Sequence, residues 1–144
     1  MSTLFWIIGL VNLANGLWML LAPAHWYQYI PAAVPDTGPL NVHFVRDIGA
    51  AFATIGLAFC VTAPNAIRHR NVVLAATPFF VLHALVHVAD LAGGRLHHEH
   101  WLIDLPSVFL PAVVISILCL PRWWRSDTRA RALLGPAKRS IHGH

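Results

Sequence analysis

Residues 72–92 read VVLAATPFFVLHALVHVADLA, and the fold is decided by how this stretch is read. A helix needs about 20 apolar residues to cross roughly 30 Å of hydrocarbon, and this segment meets that length while carrying His83, His87 and Asp90. Spacings of four and then three residues stack those side chains on one face of a helix. Ionisable groups inside a span cost about 2.5–3.5 kcal/mol each on insertion scales and face a bundle interior where they find partners. The segment therefore predicts a membrane-spanning helix with its polar stripe turned inward.

Three further stretches have the same length and apolar character, at 4–21, 42–61 and 102–120. Prolines and glycines punctuate the gaps: Pro23, Pro31, Pro35 and Pro39 in the first, Pro64 in the second, Gly93 and Gly94 in the third, and Pro121 after the last. The expected fold is an all-α, integral-membrane four-helix bundle over residues 1–121, followed by a basic tail over 122–144. No internal repeat or interdomain linker interrupts it. Composition agrees. Of the 144 residues 57% are hydrophobic and 11% charged, and mean hydropathy is +0.60, whereas soluble domains carry about 25% charged residues. A cytosolic enzyme, a secreted disulfide scaffold and a nucleic-acid module are excluded on this ground, although the pI of 9.8 alone would suggest the last.

The basic residues predict orientation. Of ten Lys and Arg, those in the second connection and the tail are Arg68, Arg70, Arg122, Arg125, Arg129, Arg131, Lys138 and Arg139. Four spans bring these to one side together with the N-terminus, and the positive-inside rule makes that side cytoplasmic in a bacterial-type inner membrane. Trp123 and Trp124 among arginines read as an interfacial anchor, with the tail on anionic lipid. Ala22-Pro23-Ala24 resembles a signal-peptide cleavage pattern, but Met1-Ser2-Thr3 lacks positive charge and the apolar stretch exceeds a usual h-region, so the first span is expected to be retained. Cys60 and Cys119 fall at the cytoplasmic ends of their spans and are expected to be reduced core residues.

More polar groups cluster at the opposite end. His43, Arg46 and Asp47 share one arc at the start of the second span, Asp104 and Ser107 open the fourth, and Asn12 and Asn15 lie on the first. If spans two and three run antiparallel about a connection centred near Ile67, Asp47 comes level with His87, Ala51 with His83 and Phe44 with Asp90. Of six acidic residues, Asp36, Asp47, Asp90, Glu99 and Asp104 belong to this outer half. Arg46 needs a carboxylate there, with Asp47 and Asp90 as candidates.

Several chemistries fit such a cluster. In the leading reading a transition metal, zinc or iron before copper, is held by His83 and His87 with Asp90, Asp47, His43 or Asp104. Arg46, Asn12, Asn15 and Ser107 would then support the ligands or a substrate, and the loop residues His97, His98, Glu99 and His100 would capture metal from outside. Copper(I) is disfavoured, because Met1 and Met19 are the only methionines and both cysteines lie at the far end. Haem between His43 and His83 or His87 is a second option, with Gly9, Gly16, Gly49 and Gly56 leaving room for the ring, although Gly49, Ala53 and Gly56 equally form a stripe for close helix contact. A third is acid–base chemistry on a lipid or quinone, with Arg46 binding an anionic head group. No Ser or Cys sits in a nucleophile motif. Against all three stand a structural network that only fixes register and an accessory or assembly subunit of a larger membrane complex. Expected partners are membrane lipid, other membrane subunits or a second copy, and no nucleic acid. The aromatic segment His25-Trp26-Tyr27-Gln28-Tyr29-Ile30 is expected to lie in the interface as an anchor, and as a lid only second.

Overall fold

The computed structural model describes residues 1–121; the expected basic tail, including Trp123, Trp124, His142 and His144, lies outside the described residues. Every regular element among them is helical, with no strand. The expected first span is α1 (Ser2–Leu21), and the first connection contains a short helix, α2 (Pro23–Tyr29), with Pro23 in its first turn. The next two expected spans correspond to α3 (Val42–Thr62) and α4 (Arg70–Ala92), joined by a 3-10 segment, Ala63–His69. Asn65 breaks the helical path there at φ −129° and ψ 45°. The Asn41 side chain accepts the Phe44 N–H at 3.1 Å and caps α3.

The expected fourth span is not one regular helix. It begins earlier, as α5 (His100–Ile103), passes through a π-helical turn, Leu105–Phe109, and continues as α6 (Leu110–Leu118). Pro106 and Pro111 explain the difference, since neither has an N–H to donate. The Asp104 carbonyl accepts from both Val108 N at 2.8 Å and Phe109 N at 3.2 Å, the latter being the wide i+5 bond of a π turn.

Packing sets the register. A Cβ added at Gly16 would come within 2.4 Å of Ala53 N, and one at Gly56 within 2.3 Å of Leu13 N, so α1 and α3 meet backbone to backbone along their glycines. The Phe52 ring of α3 lies against Phe79 and His83 of α4, with centroids 5.1 and 5.9 Å apart, the antiparallel register expected for a connection centred near Ile67. Met1 and Ser2 share a hollow with Pro64 to Arg68, and Arg70 Nη2 donates to the Cys119 carbonyl at 3.3 Å. The start of α1, the second connection and the end of α6 are thus at one end of the bundle. Phe5, Phe59, Val73, Ile115 and Leu118 fill the core at that end. Cys60 and Cys119 are free thiols at that end, Cys60 buried and Cys119 half-buried.

Two stretches are long and apolar enough to cross a membrane: Ser2–Leu21 and the 51-residue stretch Val42–Ala92, which includes α3 and α4. Their most apolar windows are only 28% and 17% buried. Leu10, Leu57, Val61, Leu82, Leu85 and Val86 all point outward. The exposed Thr54 hydroxyl donates to the Ala50 carbonyl at 2.8 Å, so it makes no demand on the surroundings.

Candidate functional site

At the end away from the core, the bundle opens into a cavity of about 400 Å³ between α1, α3, α4 and the π turn. The widened turn helps to create it, because two prolines within six residues keep this segment from packing as a straight helix. Val11, Met19, Ile48, Phe52, Phe80, Val108 and Pro111 give it apolar walls, and its polar groups are Asn12, Asn15, His83, His87, Asp104 and Ser107. Thr37 stands at the rim.

The sequence offers the α2 segment first as an interfacial anchor and only second as a lid, and the structure sets it against this cavity. Trp26 is one wall, and its indole N–H donates to Asn15 Oδ1 at 2.8 Å, fixing α2 over α1. Trp18 donates to His25 Nδ1 at 3.1 Å, and the Tyr27 hydroxyl donates to the Gly38 carbonyl at 2.6 Å. The first connection is therefore tied down as a cover on the cavity. Asn12 Nδ2 donates to the Ile8 carbonyl at 2.8 Å, which leaves its side-chain oxygen for other partners.

Asp104 and His87 form the central pair. Asp104 is 1% exposed, and its Oδ2 lies 2.7 Å from His87 Nδ1, within the range of a charge-assisted bond. An ionised Asp104 can only accept, and with it His87 Nδ1 carries the shared proton, leaving Nε2 as the ring's second nitrogen. His83 sits one turn back on α4, its ring centroid 4.8 Å from that of His87, and it stacks on Phe79 at 6.0 Å.

Behind Asp104 lies His100, also 1% exposed. Its Nδ1 is 3.6 Å from Asp104 Oδ2, and its Nε2 is 3.5 Å from Asp36 Oδ2 of the Val34–Thr37 turn. Neither nitrogen makes a hydrogen bond. Sequence reasoning had placed His100 among solvated loop ligands. The missed signal was its four-residue spacing from Asp104, which becomes a shared helical face once α5 starts at His100.

The remaining expected residues are elsewhere. Asp47 does not meet His87; it pairs with His43 at 3.4 Å on the exposed arc of α3, outside the cavity. Arg46 finds neither Asp47 nor Asp90 and instead donates from Nε to the Leu20 carbonyl at 3.3 Å. Asp90 accepts from Arg95 at 2.6 Å at the end of α4. His97, His98 and Glu99 are exposed. The rotation of α3 accounts for most of this: its glycine face is committed to α1, which swings His43 and Asp47 away from α4. The same contact fills the space between Gly9, Gly16, Gly49 and Gly56 with backbone, where a haem ring had been considered. Among the described residues no group of three or more His, Cys, Asp and Glu side chains is assembled to hold a metal ion.

Compared with protein-family models, curated proteins and solved structures, the chain finds no match in any of the three.

Proposed function

We propose that this chain is a four-span integral-membrane protein that binds one small, lipid-soluble, ring-bearing molecule of the quinone or hydroquinone class, with His87 and His83 as its polar contacts. The observation that carries this reading is an apolar cavity of about 400 Å³ in which the His87 imidazole is held by a buried carboxylate 2.7 Å away. That volume lies in the range of about 300–1,000 Å³ typical of small-molecule pockets, which pair apolar walls with a few placed polar groups. Trp26, Phe52 and Phe80 offer aromatic surface to a planar ring, while His87, His83 and Ser107 offer hydrogen bonds to its oxygens. A His whose second nitrogen is oriented by a carboxylate is also equipped as a general base or acid. The membrane assignment draws on the apolar, outward-facing surfaces of α1, α3 and α4. In this reading the segment from α5 to α6 completes the fourth crossing, and the cavity opens toward the outer side of a bacterial-type inner membrane.

The test is titration of detergent-purified protein, prepared without chelators, with a short-tailed benzoquinone and its hydroquinone. Quenching of Trp26 fluorescence reports occupancy, with Trp26→Phe as control. Saturation at one equivalent, weakened at least tenfold in His87→Ala, supports the reading. Absence of saturable binding by either probe overturns it. Stoichiometric zinc, iron or copper that disappears in His87→Ala would replace it with a metal site completed by water or substrate, and a Soret band would replace it with haem.

A further inference from the structure

We infer that Asp36, His100, Asp104 and His87 form a proton relay between the aqueous rim of the protein and the cavity. This rests on the reading of the cavity as a ligand site and adds that its ligand exchanges a proton there, as an acidic ring hydroxyl does. The four groups are consecutive neighbours. Asp36 is 52% exposed on the first connection; its Oδ2 lies 3.5 Å from His100 Nε2; His100 Nδ1 lies 3.6 Å from Asp104 Oδ2; and the same oxygen lies 2.7 Å from His87 Nδ1. Three separate chain segments, the Val34–Thr37 turn, the α5 region and α4, contribute to the line.

The state of His100 favours a relay over a structural role. Buried imidazoles that serve packing hold their hydrogen bonds at ordinary lengths, since a buried polar group without a partner is costly. Both nitrogens of His100 lack a bond, yet each faces a carboxylate a few tenths of an ångström beyond bonding distance. A small movement of the ring closes either contact. Imidazole can accept a proton on one nitrogen and release another from the second, which makes a ring between two carboxylates a conductor. Of the other charges at this end, Asp90 pairs with Arg95 and His43 with Asp47, Arg46 donates to the Leu20 carbonyl, and His97, His98 and Glu99 are exposed. His83 adjoins His87 on the cavity side.

The transfer balances without electrons. A ligand hydroxyl gives its proton to His87 Nε2 while His87 releases its Nδ1 proton to Asp104. Asp104 passes that proton to His100 Nδ1, and His100 releases its Nε2 proton to Asp36, which returns it to water; both rings then go back to their starting tautomers. The net change is one proton moved from ligand to water, and the same steps in reverse carry one in.

The relay is testable on the ligand-free protein in lipid nanodiscs, so its failure is distinguishable from failure of the ligand reading. A light-triggered release of protons from a caged acid lowers the pH, and time-resolved infrared spectroscopy follows the carboxyl and imidazole bands of the Asp104–His87 pair. The expected result is that His100→Phe and Asp36→Asn each slow protonation of the pair at least tenfold, while binding of the short-tailed hydroquinone at equilibrium is unchanged in Asp36→Asn. Because Asp36 is exposed, that variant remains informative even if His100→Phe does not fold. Wild-type protonation rates in Asp36→Asn would overturn the relay and leave entry through the cavity mouth as the route. Absence of hydroquinone binding in every form, with the slowed rates retained, would overturn the ligand class alone.

Discussion

The coupling between His87 and Asp104 is the sharpest energetic expectation the structure supports, and a double-mutant cycle isolates it. His87→Phe and Asp104→Leu roughly conserve volume while removing each polar group. With His87 gone, the Asp104 carboxylate, 1% exposed, keeps among the described residues only His100 at 3.6 Å. Breaking a buried pair by removing one partner costs about 3–5 kcal/mol. Asp104→Leu is milder, about 1–3 kcal/mol for an unsatisfied group, because His87 is 19% exposed and can turn toward the cavity. The double variant removes both demands together. Bonds to charged groups contribute about 1.5–3 kcal/mol, whereas hydrogen bonds between membrane helices average about 0.6 and reach about 1.7 kcal/mol. At 2.7 Å and nearly full burial, the pair is expected at the upper end, with a coupling of about 1.5–3 kcal/mol. Unfolding in mixed micelles with increasing dodecyl sulfate, followed by far-ultraviolet circular dichroism, gives all four stabilities. Additivity within about 0.5 kcal/mol, the level seen for independent sites, would refute the argument that these side chains form one unit.

Gly16→Ala and Gly56→Ala each drive a methyl to within 2.4 Å or less of partner backbone and are expected to destabilise by about 1–3 kcal/mol or more, as overpacking does; the same unfolding assay checks it, and neutral variants would mean that α1 and α3 pack differently. Asp47→Ala and His43→Ala remove an exposed pair and are expected to shift stability by less than about 0.5 kcal/mol and leave cavity binding intact. Loss of binding in either would restore the convergence of α3 and α4 polar groups expected from sequence. Pro35→Cys, in a chain whose Cys60 and Cys119 are replaced by Ser, is expected to react with a membrane-impermeant maleimide in intact spheroplasts. Reaction only after lysis would reverse the proposed orientation.

The helical class and three of the four long segments were legible in sequence, because apolar runs of this length leave few alternatives and Pro23, Pro64 and Gly93 sit at their ends. The depth argument was legible too: a short connection near Ile67 forces neighbouring helices into one antiparallel register, and Phe52 does meet Phe79 and His83. Of the expected site residues, His83, His87, Asp104, Ser107, Asn12 and Asn15 share the cavity, whereas Asp47, His43, Arg46 and Asp90 do not. Equal depth is necessary for contact and insufficient for it. Rotation about each helix axis also matters, and that depends on which face a neighbour demands.

The amino-acid sequence by itself determined the helical class, the ends of three long helices and the level along the bundle at which the ionisable groups of α3 and α4 sit, since these follow from local propensity and a fixed rise per residue. The tertiary structure decided which of those groups meet. The glycines of α3 could serve as ligand space or as a contact face, and only the docking of α1 against them turned His43 and Asp47 outward. In the same way Pro106 and Pro111 announced irregularity, but only the packed π turn carried Asp104 to His87 and buried His100 behind it, because those contacts join segments whose relative orientation no local preference encodes.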